Sequence, residues 1–202
     1  FKGVSQGHEA DNPQPATEAS VVLPGTLADD GVDPTSLGSA FHELAQIMVE
    51  TQSKVDEQTI DRLCLKNSVP QRAVSRVKQA LELWSNSAIR QEALAHDVVI
   101  AESPFTLQVD SEYGNYVEGA IDLLAYNKGS KDALVVDYKT GDKGLSAAQI
   151  YEHHQMQANF YAYVLMQRGF TKVECAFVCV EIEEAGQPHV ARYAFDANRS
   201  EE

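Results

Sequence analysis

Asp137, Tyr138 and Lys139 form the single Asp/Glu-x-Lys triplet of a 202-residue chain, and a second aspartate, Asp122, stands in the apolar run before them. Residues i and i+2 of a strand project to one face, so Asp137 and Lys139 point together while Tyr138 points away. Two carboxylates on neighbouring buried strands repel and raise each other's pKa unless a positive charge lies between them. A hard divalent cation such as Mg²⁺ or Mn²⁺ answers that need, because it prefers oxygen ligands and keeps several waters. Such a cation beside a lysine is an arrangement suited to phosphodiester hydrolysis. The bland reading is an Asp–Lys ion pair on a solvated strand face, and the triplet alone leaves both open.

The elements that must position these groups can be read from periodicity. Val117 to Thr140 reads as a β-hairpin, with turn residues Asn127-Lys128-Gly129-Ser130 between two apolar arms. Upstream, Asp33-Pro34 opens a helix whose buried face is Leu37, Phe41, Leu44, Ala45 and Met48. His42 lies beside that face, where a lone histidine is most simply structural. Asp56 to Asn67 is a short helix. Pro70 opens another, with the stripe Val74, Val77, Leu81, Trp84 and Ala88. Its cations Arg72, Arg76 and Lys78 belong to a solvated face or to phosphate contacts. Asp97 to Ala101 is a strand that runs into Glu102-Ser103-Pro104-Phe105, where Pro104 marks a bend or an edge. Thr106 to Val109 continues extended, and Tyr113-Gly114-Asn115 turns into the hairpin. Ser146 caps a long helix to about Arg168. One line of it carries Gln157 and Tyr161, another Tyr151, Gln155 and Asn159. Strands Val173–Ile182 and His189–Phe195 follow, joined by Gly186-Gln187-Pro188. The order α-β-β-β-α-β-β predicts an α/β fold with a mixed central sheet flanked by helices.

The length fits one domain, expected over residues 33–196 between an irregular lead-in (1–32) and a polar tail (197–202). A start at Phe1 reads as a cut from a longer chain. Hydrophobic content of 44% is enough for a core, and no apolar run approaches a membrane span. Cys64, Cys175 and Cys179 are too few for a four-cysteine iron–sulfur or zinc site, and their odd count points to a reducing compartment, the cytoplasm. No P-loop is present, which excludes nucleotide hydrolysis by that route. The net charge of −14 is the main objection to a nucleic-acid partner. Tethered neighbouring domains would offset it.

Taken in order, Gly38-Ser39-Ala40-Phe41-His42-Glu43-Leu44, Glu102-Ser103-Pro104-Phe105, Glu118-Gly119-Ala120-Ile121-Asp122, Asp137-Tyr138-Lys139-Thr140-Gly141 and Gln157-Ala158-Asn159-Phe160-Tyr161 resemble the RecB-type branch of the PD-(D/E)XK nucleases. The wording is nearest to the C-terminal nuclease domain of the AddA/RecB helicase–nuclease subunits. The resemblance implies a restriction-endonuclease-like core and a Mg²⁺- or Mn²⁺-dependent deoxyribonuclease, an exonuclease rather than an endonuclease. It implies single-stranded DNA delivered by helicase domains of the same polypeptide, a second helicase–nuclease subunit as partner, and a role in double-strand-break repair and recombination. His42, Asp122, Asp137 and the carbonyl of Tyr138 would hold the metal, with Glu102 behind them. Lys139 would position and help activate the attacking water. Gln157, preferred over Gln155 because only Gln157 has an aromatic four residues on, would join Tyr161 at the edge of the site. The cysteines of the iron–sulfur relatives are missing, which favours the AddA/RecB side. Two rivals stay open: a stand-alone structure-specific endonuclease of the same fold, and a domain that binds DNA or protein and cuts nothing.

Overall fold

The hairpin expected around the two aspartates forms, but it is regular at only one end. In the computed structural model, which describes residues 32–110 and 115–198, β2 (Asn115–Tyr126) and β3 (Asp132–Lys139) are antiparallel. Their register covers only Leu123–Tyr126 against Ala133–Val136. Below Leu123, β2 pairs with β1 (Val98–Asp110) alone. Beyond Val136, β3 pairs with the parallel strand β4 (Lys172–Glu184) alone, setting Asp137 beside Phe177 and Lys139 beside Cys179. β5 (Gln187–Asp196) completes the sheet in the order β1-β2-β3-β4-β5.

Five helices cover the two faces among the described residues. α1 (Pro34–Thr51) begins as expected, with the Asp33 carboxylate accepting from the Thr35 backbone N–H at 3.0 Å. α2 (Glu57–Lys66) is capped by Asp56 in the same way. The stripe expected to run through Ala88 is broken: α3 (Val74–Ser85) stops, and α4 (Ala88–Leu94) starts anew. Ser87 causes the break. Its hydroxyl donates to Trp84 O at 2.7 Å and accepts from Arg90 N at 3.2 Å, closing one helix and capping the next. α5 (Ala147–Gln167) is the crossover between the parallel strands β3 and β4, opened by the expected Ser146 with a full capping box.

α1 to α4 pack on one face around Phe41, Leu44, Trp84, Leu123, Val136 and Tyr138. α5 packs on the other, around Ile121, Leu124, Val135, Leu165 and Phe177. Ile121 and Leu124 lie three apart yet reach the same core, so the two-residue alternation slips at Asp122. Opposite the slip, Glu102 has φ 48°, uncommon for a residue with a side chain. Of the bend or edge expected at Pro104, it is the edge that forms: β1 runs through it as an edge strand, where proline costs no ladder bond. The last turn falls one residue early. Ala185 and Gly186 have φ 51° and 80°, the twist a two-residue hairpin needs, and Gln187 and Pro188 already belong to β5. The expected turn at Tyr113-Gly114, the lead-in before Val32 and the tail beyond Asn198 lie outside the described residues.

Candidate active site

The backbone of β3 past Val136 has no β2 partner, and side chains take its place. Tyr138 N donates to Asp122 Oδ2 at 2.7 Å. Tyr138 O lies 3.2 Å from His42 Nε2, and His42 Nδ1 lies 3.4 Å from Asp122 Oδ1. His42 reaches the gap because α1 lies against the sheet at Gly38: a Cβ there would stand 3.1 Å from Thr140 Oγ1. The Tyr138 side chain points the other way, as its place between Asp137 and Lys139 predicts, and packs edge-on against Trp84 and Phe41.

On the α5 side the helix answers the strand. Gln157 and Tyr161, one turn apart, both meet Asp137. Asp137 Oδ2 accepts from Gln157 Nε2 at 3.0 Å and from the Tyr161 hydroxyl at 2.9 Å. Lys139 Nζ donates to Gln157 Oε1 at 2.9 Å and lies 2.6 Å from Asp137 Oδ1. The ammonium also sits 5.3 Å from the centre of the Phe177 ring. Phe177 was not singled out from sequence. Its signal is its position on β4, paired with Asp137, where its side chain shares the face of Asp137 and Lys139.

The electrostatics follow from burial. Asp137 is 2% exposed, and burial pushes its carboxyl up. Lys139 pulls it back in part, while Asp122 adds to the rise. Burial opposes the Lys139 ammonium, but Asp137 and its hydrogen bond outweigh it and hold Lys139 above the usual lysine value. Burial also raises the Tyr161 phenol, so its hydroxyl stays a donor. Burial works against charge on His42, yet Asp122, with Asp137 and Glu102 beyond it, lifts the imidazole to about 9.

These residues fit a hard divalent cation. Asp137 Oδ1 is buried, with only the Lys139 ammonium, 2.6 Å away, beside it. One donor atom each from His42, Glu102 and Asp122 lies within 4.8 Å of the others. Carboxylates with one imidazole suit Mg²⁺ or Mn²⁺. Glu102, expected to stand behind the ligands, brings a carboxylate oxygen within 4.8 Å of donor atoms of His42 and Asp122. Gln157, not Gln155, is the glutamine on the network, and Gln155 is exposed. Of the helix cations, Arg76 pairs with Glu181 at 3.0 Å, and Lys78 pairs with Glu57 and Asp61.

A family model described as the PD-(D/E)XK nuclease superfamily matches residues 19–202. No curated protein matches the chain. Among solved structures, that of SSO0001 aligns over 83% of this chain and 67% of its own at 16% identity, with a TM-score of 0.37, too low to carry any inference.

Proposed function

The chain belongs to the PD-(D/E)XK nuclease superfamily, and from that premise we propose that it is a Mg²⁺- or Mn²⁺-dependent deoxyribonuclease domain of the AddA/RecB type. In this reading it acts in the cytoplasm as an exonuclease on single strands. Those strands come from helicase domains of the same polypeptide, working with a second helicase–nuclease subunit in double-strand-break repair and recombination. One observation carries the reading. The buried Asp137 Oδ1, ion-paired with the Lys139 ammonium at 2.6 Å, stands on the strand next to Asp122, whose carboxylate meets donor atoms of His42 and Glu102 within 4.8 Å.

His42, Asp122, Asp137 and the Tyr138 carbonyl would hold the cation, with Glu102 beside them. Bound there, it supplies Lewis acidity to a phosphoryl oxygen and lowers the pKa of a water. The chain's own contribution is orientation and charge. Asp137 holds the Lys139 ammonium above the usual lysine value, so in this reading the lysine acts as a donor. It donates, holding the attacking water or a nonbridging oxygen and offsetting the negative charge that grows as the new P–O bond forms and the old one breaks. Gln157 fixes the direction of that donation by accepting from Lys139 while donating to Asp137. Tyr161 and Gln157 together occupy Asp137 Oδ2, which leaves Oδ1 to be shared between Lys139 and the cation. A chain of net charge −14 repels DNA, which is why this reading assigns strand delivery to linked domains.

The test is cleavage of end-labelled linear and of circular single-stranded DNA with Mg²⁺ or Mn²⁺, wild type beside Asp137→Ala and Lys139→Ala. Metal-dependent loss of the linear substrate alone, abolished in both variants, is the expected result. Cutting of circles would replace the exonuclease reading with an endonuclease. Calorimetry that finds no Mn²⁺ binding would remove the nuclease reading altogether.

A further inference from the structure

A second group of metal-ligating side chains lies beyond the catalytic lysine. Asp142 sits in the loop between β3 and α5 and is 8% exposed. His153 and His154 are consecutive on α5. His154 is buried, its ring flat against Phe177 at 5.0 Å. Its Nε2 lies 2.8 Å from Asp142 Oδ2, and His153 Nδ1 lies 3.8 Å from Asp142 Oδ1. One donor atom from each of the three falls within 4.8 Å of the other two. Behind them, Cys179 Sγ donates to Asp142 Oδ2 at 3.6 Å.

A buried aspartate is satisfied by one histidine, so the second histidine needs its own account. At 3.8 Å the His153–Asp142 separation is too long for a hydrogen bond. A tetrahedral zinc with bonds of about 2.0–2.2 Å sets its donors roughly 3.3–3.5 Å apart. The three donor atoms, within 4.8 Å of one another, need close only modestly to meet that spacing. Two imidazoles and one carboxylate also make a softer set than the one around Asp122, and they suit zinc over magnesium. Burial raises the Asp142 carboxyl, but His154, Cys179 and His153 more than offset it, so the group is ionised as a ligand must be.

We propose that Asp142, His153 and His154 form a second metal site, for Zn²⁺ or a similar borderline transition ion, separate from the catalytic centre. Cys179 orients the aspartate from behind. The ion ties the loop that follows Lys139 to α5, the helix that carries Gln157.

The test uses chelator-stripped protein titrated with Co²⁺, followed by its visible absorption and by displacement with Zn²⁺. It is run in the Asp122→Asn/Asp137→Asn double variant, which removes the two aspartates of the catalytic centre. One equivalent of Co²⁺ with a four-coordinate spectrum, displaced by Zn²⁺, is expected. Adding His153→Ala should weaken it at least tenfold. The His153 ring is exposed, so that variant keeps the fold, as circular dichroism will verify, and it decides the matter even if Asp142→Asn does not fold. No Co²⁺ bound in the double variant, or equal affinity with and without His153, overturns the proposal.

Discussion

The two ends of the β2–β3 hairpin are made by the same pair of strands and do opposite things. At the turn end, four residues on each side pair in register, and Leu124, Ala125, Leu134 and Val135 are buried. At the other end the ladder stops, and Asp122, Tyr138 and Asp137 bond to side chains from α1 and α5 instead. Backbone groups that a sheet would satisfy internally are there turned over to chemistry. The left-handed Glu102 and the slipped alternation at Asp122 are the local cost of that opening.

The comparison breaks most sharply at the closed end. Leu134→Ala removes a side chain that is 4% exposed and should lower unfolding free energy by about 2–5 kcal/mol in a denaturant titration. Activity per folded molecule should not change. At the open end the effects reverse. Lys139→Met should cost about 10²–10³-fold in kcat and lower stability less than Leu134→Ala does, because the Asp137 carboxyl, already pushed up by burial, can take up a proton when its partner is gone. Equal loss of stability in both variants would mean that the two ends are not separable.

His42 sharpens the contrast through pH. Its folded value of about 9 lies above the usual 6.5. In metal-free protein its pairing with Asp122 therefore stabilises fully below about 6.5 and is lost as pH rises through about 9. A metal needs the neutral imidazole, so Mn²⁺ affinity should rise with pH across that window, by up to about tenfold per unit. Calorimetry in buffers of different ionisation enthalpy should count one proton released, and none in His42→Gln. The smallest expected effect is Tyr161→Phe. Asp137 Oδ2 keeps its bond to Gln157, and losing one neutral hydrogen bond of about 0.5–1.5 kcal/mol should slow cleavage roughly tenfold or less.

What the sequence made legible follows from distance along the chain. Asp33-Pro34 and Ser146 announced their helices because a cap acts within three residues. Ser87 acts over the same range, but the apolar stripe through Ala88 masked it. Asp137 and Lys139 share a face by strand parity alone. Their junction with His42, by contrast, spans 96 residues to Tyr138, and no local pattern encodes such a contact. The ordered motifs supplied that expectation. The stop of the ladder at Val136 was not legible, because it falls inside two extended arms and the bonds that replace the ladder come from distant side chains of α1 and α5 on Tyr138 and Asp137.

The interrupted ladder also has a consequence in time. The closed end joins residues separated by one short turn, so its loop-closure entropy is small and it can zip early. The open end cannot assemble until α1, β1 and α5 have all docked. Catalytic competence should therefore be the last property acquired on folding and the first lost on mild denaturation. Pulsed hydrogen exchange should show the Leu124 and Val135 amides protected before that of Tyr138, whose shelter is the Asp122 carboxylate on the neighbouring strand.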